Sequence, residues 1–296
     1  MGQIIVGWCT VLLALLFSSA AGAAGSSERG ALFKVSGQGH TVYLFGTMHV
    51  GQADFYPFEP RLAALLAAAP TLALEIDPGL PPEAAARAMQ KYAMAAPGSS
   101  VPAALSARLA RVLGQAGIAP AMVAAYKPWL IAVVLGLNEY KRLGYDSALA
   151  VDTRLAAQAR AQQVRVIELE SIDAQLALFD SMPLAAQWAF LEQTVSEIES
   201  GKQGTQARQI ATAWASADRP ALAAIAAQFD SDASPTGRFM REVLLDGRNG
   251  ALTDAIVALM GRENHSVAAI GVLHLLGPRG VPALMRARGL TVEQVY

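Results

Sequence analysis

The chain has few of the residues that most often reveal a protein's chemistry. Its 296 residues include one cysteine, four histidines and 16% charged residues, with a net charge of −1. One cysteine excludes a disulfide framework, and Lys and Arg form no run of the kind that neutralises nucleic-acid phosphates. The 53% of apolar residues can build a large core, which excludes a disordered or collagen-like chain. We therefore expect a globular protein without a nucleic-acid partner.

The first 24 residues are typical of a signal peptide. They carry no charged side chain, and the apolar stretch Ile4–Phe17 is followed by small residues. This pattern predicts cleavage after Ala23 or Ala24 and a periplasmic or secreted mature protein. Because the segment before the apolar stretch has no Lys or Arg, an uncleaved N-terminal anchor is the alternative. Cys9 lies in this leader, so the mature chain is expected to contain no thiol.

Beyond the leader, short apolar runs alternate with stretches of helical periodicity. Strands alternating with helices predict an α/β fold with a mostly parallel sheet of short strands. We expect a single domain over residues 25–296, with helical insertions at about 80–147 and 183–245 that cover the sheet, and no membrane span after the leader. The predicted strands are Thr41–Phe45, Thr71–Ile76, Val164–Leu169, Ser266–Ile270 and Thr291–Val295. The predicted helices are Phe58–Ala69, Pro82–Ala93, Ser106–Ala116, Pro120–Arg142, Asp152–Gln163, Leu184–Ser200, Thr205–Phe229, Gly250–Gly261 and Val281–Arg288.

The most informative feature is a near-repeat that contains every histidine of the chain. Residues 40–49 read HTVYLFGTMH and residues 265–274 read HSVAAIGVLH. The pattern predicts two equivalent strands of one sheet, each left at a glycine that permits either a positive φ or a close backbone approach. Nine residues of extended strand span roughly 30 Å, so the two histidines of one copy cannot share a site. The first of each copy fits a solvent-side turn, whereas His49 and His274 project beyond the C-terminal strand ends.

Two carboxylates are expected at the same edge of the sheet. Glu75 ends the run TLALE, and Glu170 follows VRVIEL. A strand–helix–strand unit returns parallel to its first strand, which predicts Glu75 beside His49. Open parallel sheets bind ligands outside the carboxyl ends of their strands. Two imidazoles and one carboxylate could therefore hold a divalent metal through His49, Glu75 and His274, with Glu170 as the general base.

Simpler roles are open for several candidate residues. Asp152, Glu170 and Asn249 could each be the cap of a helix that follows. Glu75 could accept hydrogen bonds from turn amides. Arg248 could be a surface cation, or it could supply fixed positive charge to an oxyanion near a helix N-terminus.

Five segments resemble the TraB/GumN family, which includes the animal TIKI proteases and is related in fold to the erythromycin-esterase and ChaN-type proteins. The segments are LFGTMHVG at 44–51, LALEID at 72–77, AVDTRLAAQARAQQVRVIELE at 150–170, GRNGALTDAI at 247–256 and AIGVLHLLGPRGV at 269–281. Paired GxxH motifs, an early Glu and an Arg are hallmarks of such proteins. The resemblance therefore implies functional roles for His49, Glu75, Arg248 and His274.

The resemblance also implies a TIKI-like metal-dependent peptidase, with Mn or Co as the expected metal, Zn as a further candidate, and a peptide or protein substrate. Asp152 and Glu170 match positions that commonly hold Asp and Glu in bacterial members, and Asn249 accompanies Arg248 in the matching segment. Gly247 stands where the family usually has Glu, which predicts weakened activity if that carboxylate is catalytic in relatives. The alternatives are a binding protein for haem, iron or a peptide, and an accessory protein of surface-polysaccharide export with a vestigial site.

Overall fold

A six-stranded sheet forms the centre of the computed structural model, which describes residues 27–296. The strands are β1 (Leu32–Gly37), β2 (His40–Thr47), β3 (Thr71–Leu74), β4 (Arg165–Glu168), β5 (Ser266–Gly271) and β6 (Thr291–Gln294). Their order across the sheet is β4-β3-β5-β2-β1-β6. The first four of these are parallel neighbours, whereas β1 is antiparallel to both β2 and β6. The predicted α/β fold with a mostly parallel sheet is confirmed.

Two features of the sheet differ from the sequence prediction. The sequence pattern does not predict β1, which forms a hairpin with β2 through Gln38 and Gly39, both at positive φ. In addition, β5 lies between β2 and β3, so the strands that precede His49 and Glu75 are not the direct neighbours that the sequence predicts. A strand that enters the sheet from the far end of the chain is a non-local pairing, and local periodicity carries no information about it.

The two copies of the near-repeat are adjacent parallel strands. In β2 and β5, Val42 is opposite Ser266. His40 begins β2 opposite Gly37, and His265 is an exposed residue at positive φ just before β5. The first histidine of each copy therefore lies at the N-terminal end of its strand, away from the edge where the second one lies.

The helices follow the predicted ones with a few differences. They are α1 (Pro60–Ala68), α2 (Pro82–Tyr92), α3 (Ala103–Gln115), α4 (Pro120–Val123), α5 (Pro128–Arg142), α6 (Val151–Ala161), α7 (Ile172–Asp180), α8 (Leu184–Glu199), α9 (Lys202–Ala215), α10 (Arg219–Ser231), α11 (Pro235–Phe239), α12 (Asp246–Arg262) and α13 (Val281–Ala287). The predicted helix 120–142 divides before Pro128, because a residue that precedes proline avoids the helical conformation. The predicted helix 205–229 divides at Ala217, which has a positive φ, and Asp218 caps α10. The pattern predicts neither α7 nor α11.

Apolar side chains form one core around the sheet and two smaller clusters among the inserted helices. The sheet core includes Leu44, Leu72 and Val267, whereas the second cluster joins α3, α5 and α8 through side chains such as Leu109 and Leu191. Among residues 27–296, no helix is both long and apolar enough to cross a membrane. The predicted signal peptide lies outside the described residues.

Candidate functional site

The C-terminal ends of the parallel strands bring the predicted site residues to one edge of the sheet. His49 lies two residues after β2, Glu75 directly follows β3, and Glu170 lies two residues after β4. His274 lies in a short 3₁₀ helix that follows β5. The pairing of β3 and β4 continues past the strands, since the backbone N–H of Glu170 donates to the carbonyl of Glu75 at 3.0 Å. This edge is where open parallel sheets bind ligands.

A buried ionic cluster occupies this edge, with one guanidinium at its centre. We call it the Arg248 cluster; its members are Glu75, Glu170, Gln175, Arg248 and His274. Nε of Arg248 donates to both oxygens of Glu170 at 3.1 Å, and Nη2 donates to Glu75 and Glu170. Nη1 donates to the carbonyl of Leu244 at 3.2 Å and faces Nε2 of His274 at 3.1 Å. All five N–H groups of Arg248 thus have acceptors, and its side chain is only 13% exposed, so it is not a surface cation.

His274 is held as a neutral imidazole whose lone pair is on Nε2. Nδ2 of Asn249 donates to the carbonyl of Arg279 at 2.9 Å, so Oδ1 of Asn249 is the acceptor that faces Nδ1 of His274 at 2.7 Å. Nδ1 must therefore carry the hydrogen, which leaves Nε2 to accept from Arg248. Burial lowers the pKa of His274 to about 4, and the ring is uncharged at pH 7.

Glu75 is a buried carboxylate in which both oxygens are hydrogen-bonded. Oε1 accepts from the backbone N–H of Gly271 at 2.5 Å, and Oε2 accepts from Arg248. Burial favours the neutral acid, but the neighbouring histidines, Arg248 and the Gly271 N–H outweigh it and lower the pKa of Glu75 to about 2. Since His274 is uncharged at pH 7, Arg248 and His49 supply the positive charge at that pH.

Gln175 is a site residue that sequence reasoning missed. From α7, its Nε2 donates to Glu75 at 3.1 Å and to Glu170 at 3.0 Å. Its amide therefore bridges the two carboxylates. No signal pointed to it, because its helix was not predicted and it lies outside the segments that carry the resemblance.

The glycines of the two GxxH motifs are required by close approach and not by a positive φ. A Cβ on Gly46 would lie 2.8 Å from Cγ2 of Val272, and a Cβ on Gly271 would lie 3.1 Å from Oε1 of Glu75. Neither glycine is among the residues at positive φ. Gly46 therefore leaves room for Val272, which follows β5, and Gly271 leaves room for the carboxylate of Glu75.

His49 and Asp152 form a hydrogen-bonded pair at the open side of the site. Nδ1 of His49 lies 2.8 Å from Oδ2 of Asp152, and the His49 side chain is 62% exposed. Packing around the ring opposes its protonation, but the hydrogen bond to Asp152 and the negative charges of Asp152 and Glu75 raise the pKa of His49 to about 9. Nε2 of His49 makes no hydrogen bond to any residue in 27–296. At pH 7 this pair presents an accessible imidazolium.

The three helix-cap interpretations are wrong. Asp152 is the second residue of α6, whose N-cap is Ala150. Ser171 and not Glu170 caps α7, since its Oγ accepts from a backbone N–H of the first turn. Asn249 is buried within α12 and binds His274. Each of these polar side chains is engaged with the site and not with a helix end.

The predicted metal ligands do not fit a resident ion in this arrangement. Within residues 27–296, no group of three or more His, Cys, Asp or Glu side chains is placed to hold a metal. Oε1 of Glu75 and Nε2 of His274 are 4.0 Å apart, but both side chains already contact the guanidinium of Arg248. An ion bound between Glu75, His274 and His49 would have to displace that guanidinium. Metal binding by these residues stays a prediction.

A π-helix, Met240–Leu245, leads directly to Arg248. Short π-helical turns are frequent at functional sites, where they change the direction of side chains. A Cβ on Gly247 would lie 2.7 Å from the backbone oxygen of Glu242. A side chain at position 247, such as the Glu that the resemblance leads one to expect there, would therefore require this turn to shift.

Comparison with known proteins agrees with the resemblance seen in the motifs. The protein named "Uncharacterized protein YbaP" of Escherichia coli (strain K12) is 26% identical over 257 residues, which cover 82% of this chain and 87% of that protein. The protein of the same name from Shigella flexneri matches to the same extent. No solved structure matches the chain. A family model described as the TraB/PrgY/gumN family matches residues 31–294. Because this match spans the whole sheet and every candidate site residue, the chain belongs to the TraB/PrgY/gumN family.

Proposed function

We propose that this protein is an exported hydrolase that cleaves peptide bonds. The observation that carries the proposal is the exposed His49, which Asp152 orients beside the buried Arg248 cluster at the strand ends. A histidine with Nδ1 bound to a carboxylate and Nε2 free is suited to general acid–base chemistry. Family membership supports this class of activity through the resemblance to the TIKI proteases.

His49 moves the proton in this proposal. In its neutral form, Nε2 accepts a proton from a water molecule whose oxygen attacks the substrate carbonyl carbon. The imidazolium then gives this proton to the amide nitrogen as the carbon–nitrogen bond breaks, and the ring returns to its neutral form. Asp152 accepts the Nδ1–H throughout, which holds the ring orientation and stabilises the imidazolium.

The Arg248 cluster holds the charges around this group. We assign the acid–base role to His49 and not to Glu170, because both oxygens of Glu170 accept hydrogen bonds from Arg248. Arg248 has no spare N–H for an oxyanion, so a direct contact with the substrate would require one of its present contacts to open. Its contribution to catalysis in this arrangement is the fixed positive charge that it places beside two buried carboxylates.

Cleavage of a peptide library by the purified protein, followed by mass spectrometry, tests the proposed activity. We expect cleavage products that share a residue preference around the cut. Parallel reactions with added Mn²⁺ or Co²⁺ and with a chelator separate a metal-dependent activity from one that the chain's own residues supply. If no peptide is cleaved under any of these conditions, the hydrolase proposal fails, and the peptide-binding or polysaccharide-export interpretation takes its place.

The predicted divalent metal leads to a separate expectation for Arg248→Ala. If His49, Glu75 and His274 bind an ion, removal of the competing guanidinium should increase metal affinity, since like charges at a few ångströms repel. Elemental analysis after dialysis against Mn²⁺ measures this. His274→Ala should abolish the binding of Mn²⁺. The matched control is His265→Ala, because His265 is exposed and lies away from the site. A lack of uptake by both wild type and Arg248→Ala would contradict the metal proposal.

Export is tested by the mass of the mature chain. We expect material from an exporting host to lack residues 1–23 or 1–24, because small residues end the apolar leader. Intact-mass spectrometry of the periplasmic and membrane fractions measures this. A full-length chain in the membrane fraction would instead support the N-terminal anchor.

A further inference from the structure

A cavity among the inserted helices has no part in the proposed proton transfer. Its volume is about 360 Å³, within the range of about 300–1,000 Å³ typical of small-molecule sites. Helices α5, α8, α9 and α10 surround it. These helices belong to the insertions between the strands, so the cavity is formed by the insertions and not by the sheet.

Three elements connect the cavity to the site: two of them carry a site residue, and the third leads to one. Phe179 lines it and lies one helical turn after Gln175 on α7, and residues four apart share a helix face. Leu273 lines it and directly precedes His274. Met240 lines it and begins the π-helix that leads to Arg248. These chain connections link the cavity to the strand ends, from which we expect a bound substrate to extend toward it.

The lining combines an apolar interior with neutral amides. Side chains such as Val133, Ile210 and Ile225 provide the apolar surface. Five glutamines contribute side-chain amides: Gln193, Gln203, Gln206, Gln209 and Gln228. A carboxamide has one acceptor oxygen and two N–H donors, which match the groups that a peptide backbone offers. Among the described residues, only Gln193 of these five makes a side-chain hydrogen bond, to Glu197.

The charges of the lining exclude an acidic occupant. The described residues that line the cavity include Glu197 and Asp232, but no Lys, Arg or His. A carboxylate buried in this space would find no unpaired cation to bind, because Lys202 already pairs with Glu197 at 2.8 Å and lies near enough to Asp232 to lower the pKa of that carboxyl. An uncharged ligand needs no such cation, and a basic one can approach the two carboxylates.

We propose that this cavity is a subsite that takes an apolar side chain of a peptide substrate, while the glutamines bind the backbone amides beside it. The substrate class is therefore an extended peptide that is neutral or basic near the cut, and not an acidic peptide or polysaccharide. This inference rests on the proposed peptide hydrolase.

Gly136→Phe fills the cavity and tests the proposal. Gly136 lines the cavity on α5, and a Cβ there has Nε2 of Gln203 at 3.7 Å as its nearest neighbour, so the backbone can accept a side chain. Gly114→Phe on α3 is the matched control, because a Cβ there meets nothing within 4 Å and Gly114 does not line the cavity. Gln203→Ala is a second variant, which removes an amide without adding bulk. Thermal unfolding of each protein verifies that it folds.

Binding is measured by titration calorimetry in a His49→Ala background, so that cleavage does not consume the peptide. The probes are acetyl-Ala-Ala-Phe-Ala-amide, acetyl-Ala-Ala-Glu-Ala-amide and maltohexaose. We expect the Phe peptide to bind to the protein with Gly136 intact. Its affinity for the Gly136→Phe variant should be at least about tenfold lower. Gln203→Ala should weaken it by a smaller factor, and Gly114→Phe should leave it unchanged. The Glu peptide should bind at least about tenfold more weakly than the Phe peptide.

Equal binding of the Phe peptide to the Gly136→Phe and Gly114→Phe proteins would overturn the subsite, as would the absence of peptide binding. Tighter binding of maltohexaose than of the Phe peptide would overturn the substrate class. These results are distinct from failure of the hydrolase. Peptides that bind with the expected differences but are never cleaved would contradict the proposed activity and support a peptide site. Cleavage that is indifferent to Gly136→Phe would support the activity and remove the subsite.

Discussion

Replacement of His49 by Ala should reduce peptide cleavage about 10²–10⁴-fold, the usual contribution of a positioned acid–base group. The His49 ring is accessible, and its Nε2 is free of hydrogen bonds to the described residues, so it is the group that can exchange a proton with a water molecule. His265→Ala is the matched control, because that exposed histidine lies at the opposite end of its strand. Initial rates on one cleaved peptide measure the effect. A His49→Ala protein with the wild-type rate would contradict the assignment.

The pH dependence of the same rate has a defined sign. Because the pKa of His49 is raised to about 9, the neutral ring that accepts the proton is scarce at pH 7, and kcat/KM should increase with pH up to about 9. Asp152→Asn removes the charge that raises this pKa, so the rising limb should move to lower pH, toward the ordinary value of 6.5. A merely structural role for Asp152 would lower the rate without moving the limb.

Arg248→Met should destabilise the fold by about 3–5 kcal/mol, the usual cost of removing one partner from a buried ion pair. The side chain of Glu75 is only 6% exposed and that of Glu170 13% exposed, and both would lose the cation that balances their charge. Urea unfolding at pH 7 measures the loss. Arg111→Met is the control: its pair with Glu199 is exposed, and such pairs contribute about 0–1 kcal/mol.

The loss caused by Arg248→Met should become smaller as the pH falls. In the wild type, the pKa of Glu75 is lowered from 4.5 to about 2, so its ionisation stabilises the fold above pH 4.5 and this stability disappears as the pH falls toward 2. Without Arg248, burial instead favours the protonated acid, and acid relieves the penalty. The triple variant with Glu75→Gln and Glu170→Gln should recover part of the lost stability. A loss no greater than that of Arg111→Met would show that the cluster does not hold the fold together.

Much of the site could be predicted because its residues follow strands. His49, Glu75, Glu170 and His274 each stand just beyond a short apolar run, and parallel strands bring such positions to one edge whatever their order. Arg248 does not follow a strand, so only the motifs that carry the family resemblance identified it as a site residue. Its position between the carboxylates depends on α12 and on the π-helix before it, and periodicity cannot reveal a π-helical turn.

The sequence by itself determined the alternation of strands and helices, the presence of the two histidine copies as strands of one sheet, and the edge at which the polar residues meet. These are consequences of local periodicity, residue type and the handedness of parallel connections. Only the tertiary structure decided that β5 separates β2 from β3, that Gln175 bridges the carboxylates, and that Arg248 contacts two of the predicted metal ligands. Such contacts join residues about a hundred or more positions apart, and their geometry follows from the packing of whole elements and not from the neighbours of each residue in the chain.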